Sequence, residues 1–453
     1  MSSWLLMGLP GVAYLSGIAE AGWTAIGLAV GTYVNWLIVS KKIRRYTSQL
    51  HALTLPDFFS KRYGDDQNIL TCVSAVIIII FFIPYTASGF AACAKLFNTL
   101  FGVNYMAALF ISAAIIVLYC TLGGFLAVST TDLIQGITMS IALIIVICFG
   151  IFTAGGFEHV IANAQALPGY LSMMRSYVPG TDYDTPYSAL TIVSTLAWGL
   201  GYFGMPHILL RFMAIEDEKK LSLSRRIATV WVVISMAVAV FIGIVGYSMS
   251  QASVIPALEG SSSETIIVQI ASVLSKYNIL TALLAGIILA GILAATMSTA
   301  DSQLLAAASS ISQNLLQDFG KKKIDTKTSV KIARITVMII SLISVLLASN
   351  PDSSVFEIVS FAWAGFGAAF GPIVLCALFW KRSNKWGALC GMITGGAMIF
   401  IWKYGIAGLG GVFAIYELLP AFLLATLVNI IVSLMTAEPS QEILAVYDKV
   451  NRK

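Results

Sequence analysis

One short stretch of the sequence, LAATMSTADSQLL at 293–305, places oxygen-bearing side chains inside a long apolar run. If the run is helical, one face carries small or hydroxyl-bearing residues at Gly291, Ala295, Ser298, Thr299 and Ser302. Hydroxyl, carbonyl and carboxylate oxygens suit a hard cation such as Na⁺, although close helix packing would also explain the hydroxyls. Asp301, on the edge of this face, favours an ion site, because a carboxylate inside a membrane is costly and is by default a functional candidate.

A second stretch, WGLGYFGMPH at 198–207, predicts a break in another apolar helix. Each glycine in a helix interior costs about 1 kcal/mol relative to alanine, and Pro206 removes a backbone donor. Broken backbone at membrane depth is tolerated where it faces protein or a water-filled cavity, and its free N–H and C=O groups can bind ligands. Trp198 and Tyr202 would project beside the break. The alternative is a kinked helix with an aromatic pair facing lipid.

Three further residues with possible chemistry lie in apolar segments. Asp132, in GGFLAVSTTDLIQG, is a second buried acid that could pair with Arg211 or a loop lysine, or help to form an ion site. Tyr85 follows Pro84 in a long span, where a single tyrosine is more often a packing residue. His207, which follows Pro206, is interpreted as a capped or packed histidine and not as a ligand. The six cysteines lie within or at the ends of apolar segments, which indicates packing and not disulfide bonds.

The elements that must position these residues are membrane helices. The chain is 58% hydrophobic and only 11% charged, whereas soluble globular chains carry about a quarter charged residues. Runs of about 20 apolar residues predict spanning helices, and there are twelve: 2–17, 19–40, 68–100, 104–121, 125–152, 187–212, 224–249, 278–310, 332–348, 354–380, 386–403 and 413–436. The sequence has no zinc-ligand spacing, phosphate-binding glycine loop or HExxH motif, and its loops leave no room for an ATPase, kinase or nucleic-acid module.

Lysine and arginine are concentrated in alternate loops, chiefly at 41–62, 211–226, 321–334 and 381–385. By the positive-inside rule these loops are cytoplasmic, and every alternation along the chain agrees. The tail at 437–453 is therefore expected in the cytoplasm. This distribution explains the net charge of +5 without an acidic partner.

The first apolar segment is unusual. It follows Met1 directly with no basic residue to anchor it, and Pro10 leaves only a few residues of continuous helix. Because spans need about 17 to 25 residues, the first helical turns are expected to belong to residues absent from this chain. The alternative is a short but complete first span.

A resemblance to the sodium:solute symporter family, and within it to sodium/proline symporters, is carried by seven motifs in order: MSSWLLMGLPG, LTLPDFF, YTASG, GGFLAVSTTD, WGLGYFGMPHILLRFMA, LAATMSTADS and AWAGFGAAFGP. The resemblance implies an all-α polytopic fold with a five-plus-five inverted repeat and a binding site at the repeat interface. Its units would be an incomplete first repeat at 1–152, an outer loop at 153–186, a second repeat at 187–381 and additional helices at 382–436.

The resemblance also implies the residues of the site. Sodium would bind the main-chain oxygens of Met1 and Ala295 and the hydroxyls of Ser298 and Thr299. An additional sodium, held by some members, would use Asp132, Ser298, Asp301 and Ser302. The substrate would contact Ser2, Ser3, Trp4, Tyr85, Trp198, Tyr202 and Pro206. A carboxylate suits the N–H groups of a broken helix, and a pyrrolidinium can lie against aromatic faces.

Two departures from the family pattern affect this expectation. The family has one and a half further spans before the position of Met1, including an aspartate directly before it and an alanine three residues before it that supplies a sodium ligand. Ser3 stands where proline transporters usually have glycine, which would narrow the pocket.

These features together predict a sodium symporter that imports a small zwitterionic amino acid, with L-proline as the first candidate, across a bacterial-type inner membrane. Its partners would be the substrate, Na⁺ as coupling ion and the lipid bilayer, with no other cofactor, no nucleic acid, no obligate protein partner and no enzymatic activity. The alternatives are a symporter for pantothenate, a sugar or sialic acid, a transporter-like sensor, a membrane enzyme that uses Asp132 and Asp301, or an inactive truncated symporter.

Overall fold

A computed structural model describes residues 2–122, 125–321 and 324–451, with the side chains of 122, 125–129 and 326 left aside. Within these ranges the protein is built from helices and one short β-hairpin. Met1, a predicted sodium ligand, lies outside the described residues.

The first membrane segments are joined by short connections. The π-helical turn Trp4–Gly8 leads directly into the first α-helix, and the π-helical turn Asn35–Val39 joins the second to the third. These helices are α1 (Leu9–Ser16), α2 (Ile18–Val34), α3 (Ser40–Leu50), α4 (Leu55–Tyr63), α5 (Ile69–Phe101), α6 (Tyr105–Leu122) and α7 (Phe125–Thr153).

The connection after α7 holds the hairpin. It comprises α8 (Phe157–Gln165) and the antiparallel strands β1 (Arg175–Tyr177) and β2 (Asp184–Pro186), which pair in the register Arg175 to Pro186. The next membrane segment is interrupted, and consists of α9 (Ala189–Leu196), the 3₁₀ turns Ala197–Phe203 and α10 (Pro206–Ala214).

The remaining helices are α11 (Leu221–Gln251), α12 (Ile266–Leu274), α13 (Ile279–Ser309), α14 (Thr326–Leu347), α15 (Val355–Phe379), α16 (Lys385–Ile401), α17 (Leu418–Met435) and α18 (Gln441–Asn451). Two of them continue as π-helix, at Ser310–Phe319 and Trp402–Ile406. Short 3₁₀ turns lie at Glu218–Lys220, Gly260–Thr265, Ala407–Leu409 and Gly411–Phe413.

The predicted all-α polytopic fold is confirmed. Among the described residues, nine helices are long and apolar enough to cross a membrane, and three shorter apolar helices lie at Trp4–Ser16, Tyr105–Thr121 and Ala189–Phe203. Together they correspond one to one with the twelve predicted segments. The predicted ends are less accurate: the rod that contains α13 runs to Phe319 and not to 310, because backbone hydrogen bonding continues after the hydropathy pattern ends.

The centre of the molecule is α15. Its most apolar stretch is 83% buried, a larger share than in any other described membrane helix. Its small residues allow close approach of the interrupted segment: a Cβ added at Gly367 would lie 2.8 Å from the Cα of Gly201. Only hydrogen side chains fit at this contact, so the sequence AGFGAAFG sets how near the break lies to the central helix.

Candidate substrate and ion site

The predicted break in the helix at 198–207 is confirmed. The chain leaves α9 as 3₁₀ turns at Ala197–Phe203, and Met205 is extended with φ −72° and ψ 110°. Pro206 then begins α10, where its missing N–H costs nothing because the first helical donors lack intrahelical partners in any case. Glycine and proline therefore stop one helix and start the next in the middle of a membrane segment.

Helix α2 holds the interrupted segment in place. A Cβ added at Gly31 would meet the carbonyl oxygen of Gly199 at 2.4 Å, so the two backbones touch. Four residues on, the Asn35 side-chain amide donates a hydrogen bond to the Tyr202 carbonyl at 3.1 Å. Asn35 begins the π-helical turn of this rod. The π-helical turn that begins at Asn35 thus supplies a hydrogen-bond donor to the Tyr202 carbonyl, which the break leaves without an intrahelical partner.

Aromatic rings surround Trp198 at the start of the break. Its ring centroid lies 5.2 Å from that of Trp4, 5.4 Å from that of Phe356 and 5.2 Å from that of Tyr416. The Nε1 of Trp363 donates a 2.8 Å hydrogen bond to the Trp198 carbonyl. These separations are typical of favourable aromatic pairs, and they give one wall of the site an apolar, π-rich surface.

A cavity of about 610 Å³ lies beside this wall, within the usual range for small-molecule sites. Of the predicted substrate contacts, five border it: Ser2, Trp4, Tyr85, Trp198 and Tyr202. Ser3 and Pro206 are buried but do not border it. Two predicted sodium ligands, Ser298 and Thr299, border the same cavity.

The oxygen-bearing face of α13 faces protein and not lipid. Ala295 is fully buried and Thr299 is 9% exposed. The Ser298 hydroxyl donates to the Ala295 carbonyl at 3.1 Å, so two of the predicted sodium oxygens touch. A hydroxyl that donates one hydrogen bond still has lone pairs for a cation.

A second polar cluster lies farther along α13. Arg211 donates to the Asp132 carboxylate at 2.5 Å and to the Ser302 hydroxyl at 3.0 Å, so the acid takes the arginine partner among its predicted alternatives. The Ser302 hydroxyl also lies 3.3 Å from Oδ1 of Asp301. Asp132, Asp301 and Ser302, which were predicted to bind an additional sodium, therefore form one network with the Arg211 guanidinium. Ser298, the fourth predicted residue, joins this network because its carbonyl accepts a hydrogen bond from the Ser302 hydroxyl.

Comparison with known proteins decides the family. The model of the Sodium:solute symporter family matches residues 1–395. A sodium/proline symporter of Haemophilus influenzae is 42% identical over 459 residues, which cover 100% of this chain and 88% of that protein. A sodium/proline symporter of Escherichia coli is 40% identical, with 97% and 84% covered. The osmoregulated proline transporter OpuE of Bacillus subtilis is also 40% identical, with 97% and 86% covered.

The chain belongs to the sodium:solute symporter family.

Solved structures agree on the fold of this symporter. A Na⁺-coupled sialic acid symporter in a substrate-bound outward-open state aligns with a TM-score of 0.76 over 97% of this chain and 88% of that one, at 17% identity. MHP1, a nucleobase-cation-symport-1 family transporter in a closed conformation, aligns with a TM-score of 0.56 over 99% and 94%, at 11% identity. At such low identities the likeness shows the fold alone.

The candidate site also contains residues that the sequence patterns do not single out. Phe356, Trp363 and Tyr416 complete the aromatic wall, and of these only Trp363 lies in a motif, AWAGFGAAFGP. His207 packs near Phe82, with ring centroids 5.9 Å apart, as its packing interpretation predicted. It also borders the cavity, and its Nδ1 is buried without a partner in the described part of the chain. Hydropathy carries no signal for these long-range neighbours.

Proposed function

We propose that this symporter couples the entry of Na⁺ to the uptake of a small zwitterionic amino acid, L-proline. One observation carries the proposal: a single cavity is bordered by the aromatic break around Trp198 and by the hydroxyl-bearing residues Ser298 and Thr299. Relatives about 40% identical over nearly the whole chain bear the name sodium/proline symporter, which supports this substrate. In the proposal the cavity holds ion and substrate at the same time.

The sodium ion binds, in this proposal, to oxygens of α13 and of the first helix. The carbonyl of Ala295 and the hydroxyls of Ser298 and Thr299 supply ligands from α13, and the carbonyl of Met1, outside the described residues, is the further ligand of the proposal. A second ion at Asp132, Ser298, Asp301 and Ser302 would share that network with the guanidinium of Arg211. Oxygen ligands of mixed type are what a hard monovalent cation requires.

The substrate binds against the aromatic wall. The pyrrolidinium ring lies on the faces of Trp4, Trp198 and Tyr202, where apolar contact and cation–π attraction both act. Its carboxylate meets donors at the break and at Ser2 and Tyr85. Ser3 and Pro206 contribute indirectly. Each lies at the start of a helical segment and so positions the backbone that follows it. The Nε1 of Trp4, buried without a partner among the described residues, offers one further donor.

Occupation of the ion site raises substrate affinity because Na⁺ joins α13 to the helices that contact the substrate, and such coupling is reciprocal. One Na⁺ entering down roughly 100 mV releases about 2.3 kcal/mol. A roughly tenfold concentration gradient adds about 1.4 kcal/mol, and together these support about 500-fold accumulation of the substrate at equilibrium.

The proposed orientation places the basic loops and the C-terminus in the cytoplasm of a cell with a bacterial-type inner membrane. Two contacts support it: Lys381 pairs with Asp448 at 2.7 Å, and Lys42 bonds Asn451 at 2.8 Å, so α18 lies against the basic loops. The cavity is bordered by Arg211, the first residue of the basic stretch 211–226, which in this orientation lies toward the cytoplasmic side.

The proposed inverted repeat has a simple support in the order of helices. Five membrane segments run from Trp4 to Thr153 before the outer hairpin, and five from Ala189 to Phe379 after it. The repeats are assigned to 1–152 and 187–381, with 382–436 as additional helices. Their interface lies at the cavity, where the first helix and the interrupted helix meet.

Uptake of labelled L-proline by protein reconstituted in vesicles tests this proposal. We expect accumulation with an inward Na⁺ gradient and none when K⁺ replaces Na⁺. Unlabelled pantothenate, sialic acid and sugars should not compete. The double variant Ser298→Ala with Thr299→Ala should lose Na⁺-dependent uptake, while Ser309→Ala, on the same helix but not bordering the 610 Å³ cavity, should keep it. Uptake that is independent of Na⁺, or unchanged in the double variant, would contradict the mechanism.

A further inference from the structure

The proposed transport cycle assigns no role to the charge of Arg211. It lies five residues after Pro206 on α10 and is 41% exposed. Its side chain borders the 610 Å³ cavity and also a second cavity of about 360 Å³, whose wall includes Thr54, Ser302 and Ser309. The guanidinium therefore stands between two spaces, with room on either side.

The contacts of Arg211 join three helices. One guanidinium nitrogen is 2.5 Å from Oδ2 of Asp132 on α7 and 3.0 Å from the hydroxyl of Ser302 on α13. The Ser302 hydroxyl donates to the Ser298 carbonyl at 3.1 Å and lies near Asp301. These are the oxygens assigned above to an additional sodium.

The cluster holds two acidic side chains and one basic side chain. Two carboxylates face one guanidinium, and each carboxylate keeps one oxygen without a partner in the described ranges, Oδ1 of Asp132 and Oδ2 of Asp301. Asp301 is fully buried. Anionic oxygens at membrane depth are costly unless a cation or donors meet them. The cluster thus presents oxygens to a cation while part of it is held by a side chain.

We propose that Arg211 is a tethered cation that exchanges with Na⁺ at Asp132. When the ion has left, the guanidinium neutralises the carboxylate. When the ion binds, the guanidinium moves toward the 360 Å³ cavity. The inference rests on the proposed function and deepens it, because a built-in competitor lowers the affinity for Na⁺ where the ion must be released.

Two features favour exchange over a fixed ion pair. A guanidinium that is 41% exposed can leave its partner without abandoning a packed position, unlike a fully buried arginine. Arg211 also lies on the short helix that follows the break, so movement of the interrupted segment moves the guanidinium relative to Asp132. An arginine keeps its charge throughout, since it does not lose its proton in proteins.

Equilibrium binding of ²²Na⁺ to the purified full-length chain in detergent tests the exchange. In Arg211→Gln, we expect half-saturation at roughly tenfold lower Na⁺, the factor that corresponds to losing one charge-assisted competitor. The matched control is Arg226→Gln. It removes the same charge from an exposed position at the other end of the basic stretch 211–226 and should leave Na⁺ binding unchanged. Equal Na⁺ affinity in wild type and Arg211→Gln overturns the proposal.

Variants that also carry Asp132→Asn distinguish exchange at Asp132 from a long-range effect of the Arg211 charge. In Asp132→Asn the arginine has no acid to hold, so adding Arg211→Gln should change Na⁺ affinity by less than twofold. A full tenfold gain in that background means that the charge acts at a distance, and overturns exchange. If Arg211→Gln is not monodisperse, Arg211→Lys replaces it. Lysine exchanges the planar guanidinium, one nitrogen of which contacts both Asp132 and Ser302, for a compact and strongly hydrated ammonium, so half-saturation should occur at a lower Na⁺ concentration than in wild type, and an unchanged value overturns the proposal.

The outcome stays distinct from that of the proposed function. A wild-type protein that binds ²²Na⁺ but shows no Na⁺-dependent binding of labelled proline would refute proline symport while leaving the Arg211 comparison readable. A wild-type protein with coupled binding, and an Arg211→Gln variant with unchanged Na⁺ affinity, would refute only the exchange.

Discussion

Two ion pairs in the described part of the helix bundle, Lys95–Glu264 and Arg211–Asp132, differ in burial and in hydrogen bonding. On the side with few basic residues, Lys95 contacts Glu264 at 2.8 Å, with side-chain exposures of 6% and 4%. On the basic side, Arg211 contacts Asp132 with exposures of 41% and 15%. The first pair is enclosed by protein, while the second stands between two cavities.

Their hydrogen bonding differs as well. Besides Lys95, the Glu264 carboxylate accepts hydrogen bonds from the backbone N–H groups of Val355 and Phe356 at 3.0 and 2.9 Å and from the Ser354 hydroxyl at 2.8 Å. It therefore caps the start of the central helix α15, where an anion is favoured. Asp132 keeps an unpartnered oxygen in the described part of the chain. A fully satisfied buried pair joins helices permanently, whereas a partly satisfied, exposed pair remains available to a competing cation.

The largest effect is expected at the enclosed pair. Glu264→Ala leaves the Lys95 ammonium buried without a counter-ion and removes the cap of α15, so we expect a loss of about 3–5 kcal/mol in the free energy of unfolding. Denaturant titration of purified protein measures it. The control is Glu357→Ala, in the first turn of the same helix but exposed, which should change stability by about 0.5 kcal/mol or less. A similar small loss in both variants would remove the contrast drawn here.

A smaller effect is expected at the exposed pair. Asp132→Asn should cost about 1 kcal/mol or less in the same titration, because water reaches the Arg211 guanidinium once its partner is neutral. Its consequence should be functional, with reduced coupling of proline uptake to Na⁺. A stability loss as large as that of Glu264→Ala would show that both pairs are structural.

The smallest loss of stability is expected at a surface ion pair, which serves as the reference for the other two pairs. Lys381 and Asp448 touch at 2.7 Å with exposures of 48% and 42%, and they join α18 to the loop before α16. Lys381→Ala should change the free energy of unfolding by about 0.5 kcal/mol or less and leave uptake intact. A larger loss, measured in the same titration, would mean that side-chain exposure does not predict the order of the stability losses at these three pairs.

The sequence by itself determined the membrane helices and the place where one of them breaks. Lipid offers no hydrogen-bond partners, so membrane spans must be long, apolar and helical. Each span can therefore be predicted from the hydropathy of its own residues. Gly199, Gly201, Gly204 and Pro206 likewise act on their own backbone, and the break lies where they predict it. The hydroxyls of α13 were found from helical periodicity, and Ser298 and Thr299 do border the cavity.

Only the tertiary structure decided which partners these residues meet. Asp132 could have paired with a loop lysine or an ion, and its arginine partner lies 79 residues away in the chain. Phe356, at the start of α15, and Tyr416, just before α17, join the aromatic wall from positions that no motif includes. Such neighbours arise from how whole helices pack around α15, a property of many long-range contacts at once, which no local pattern of residues encodes.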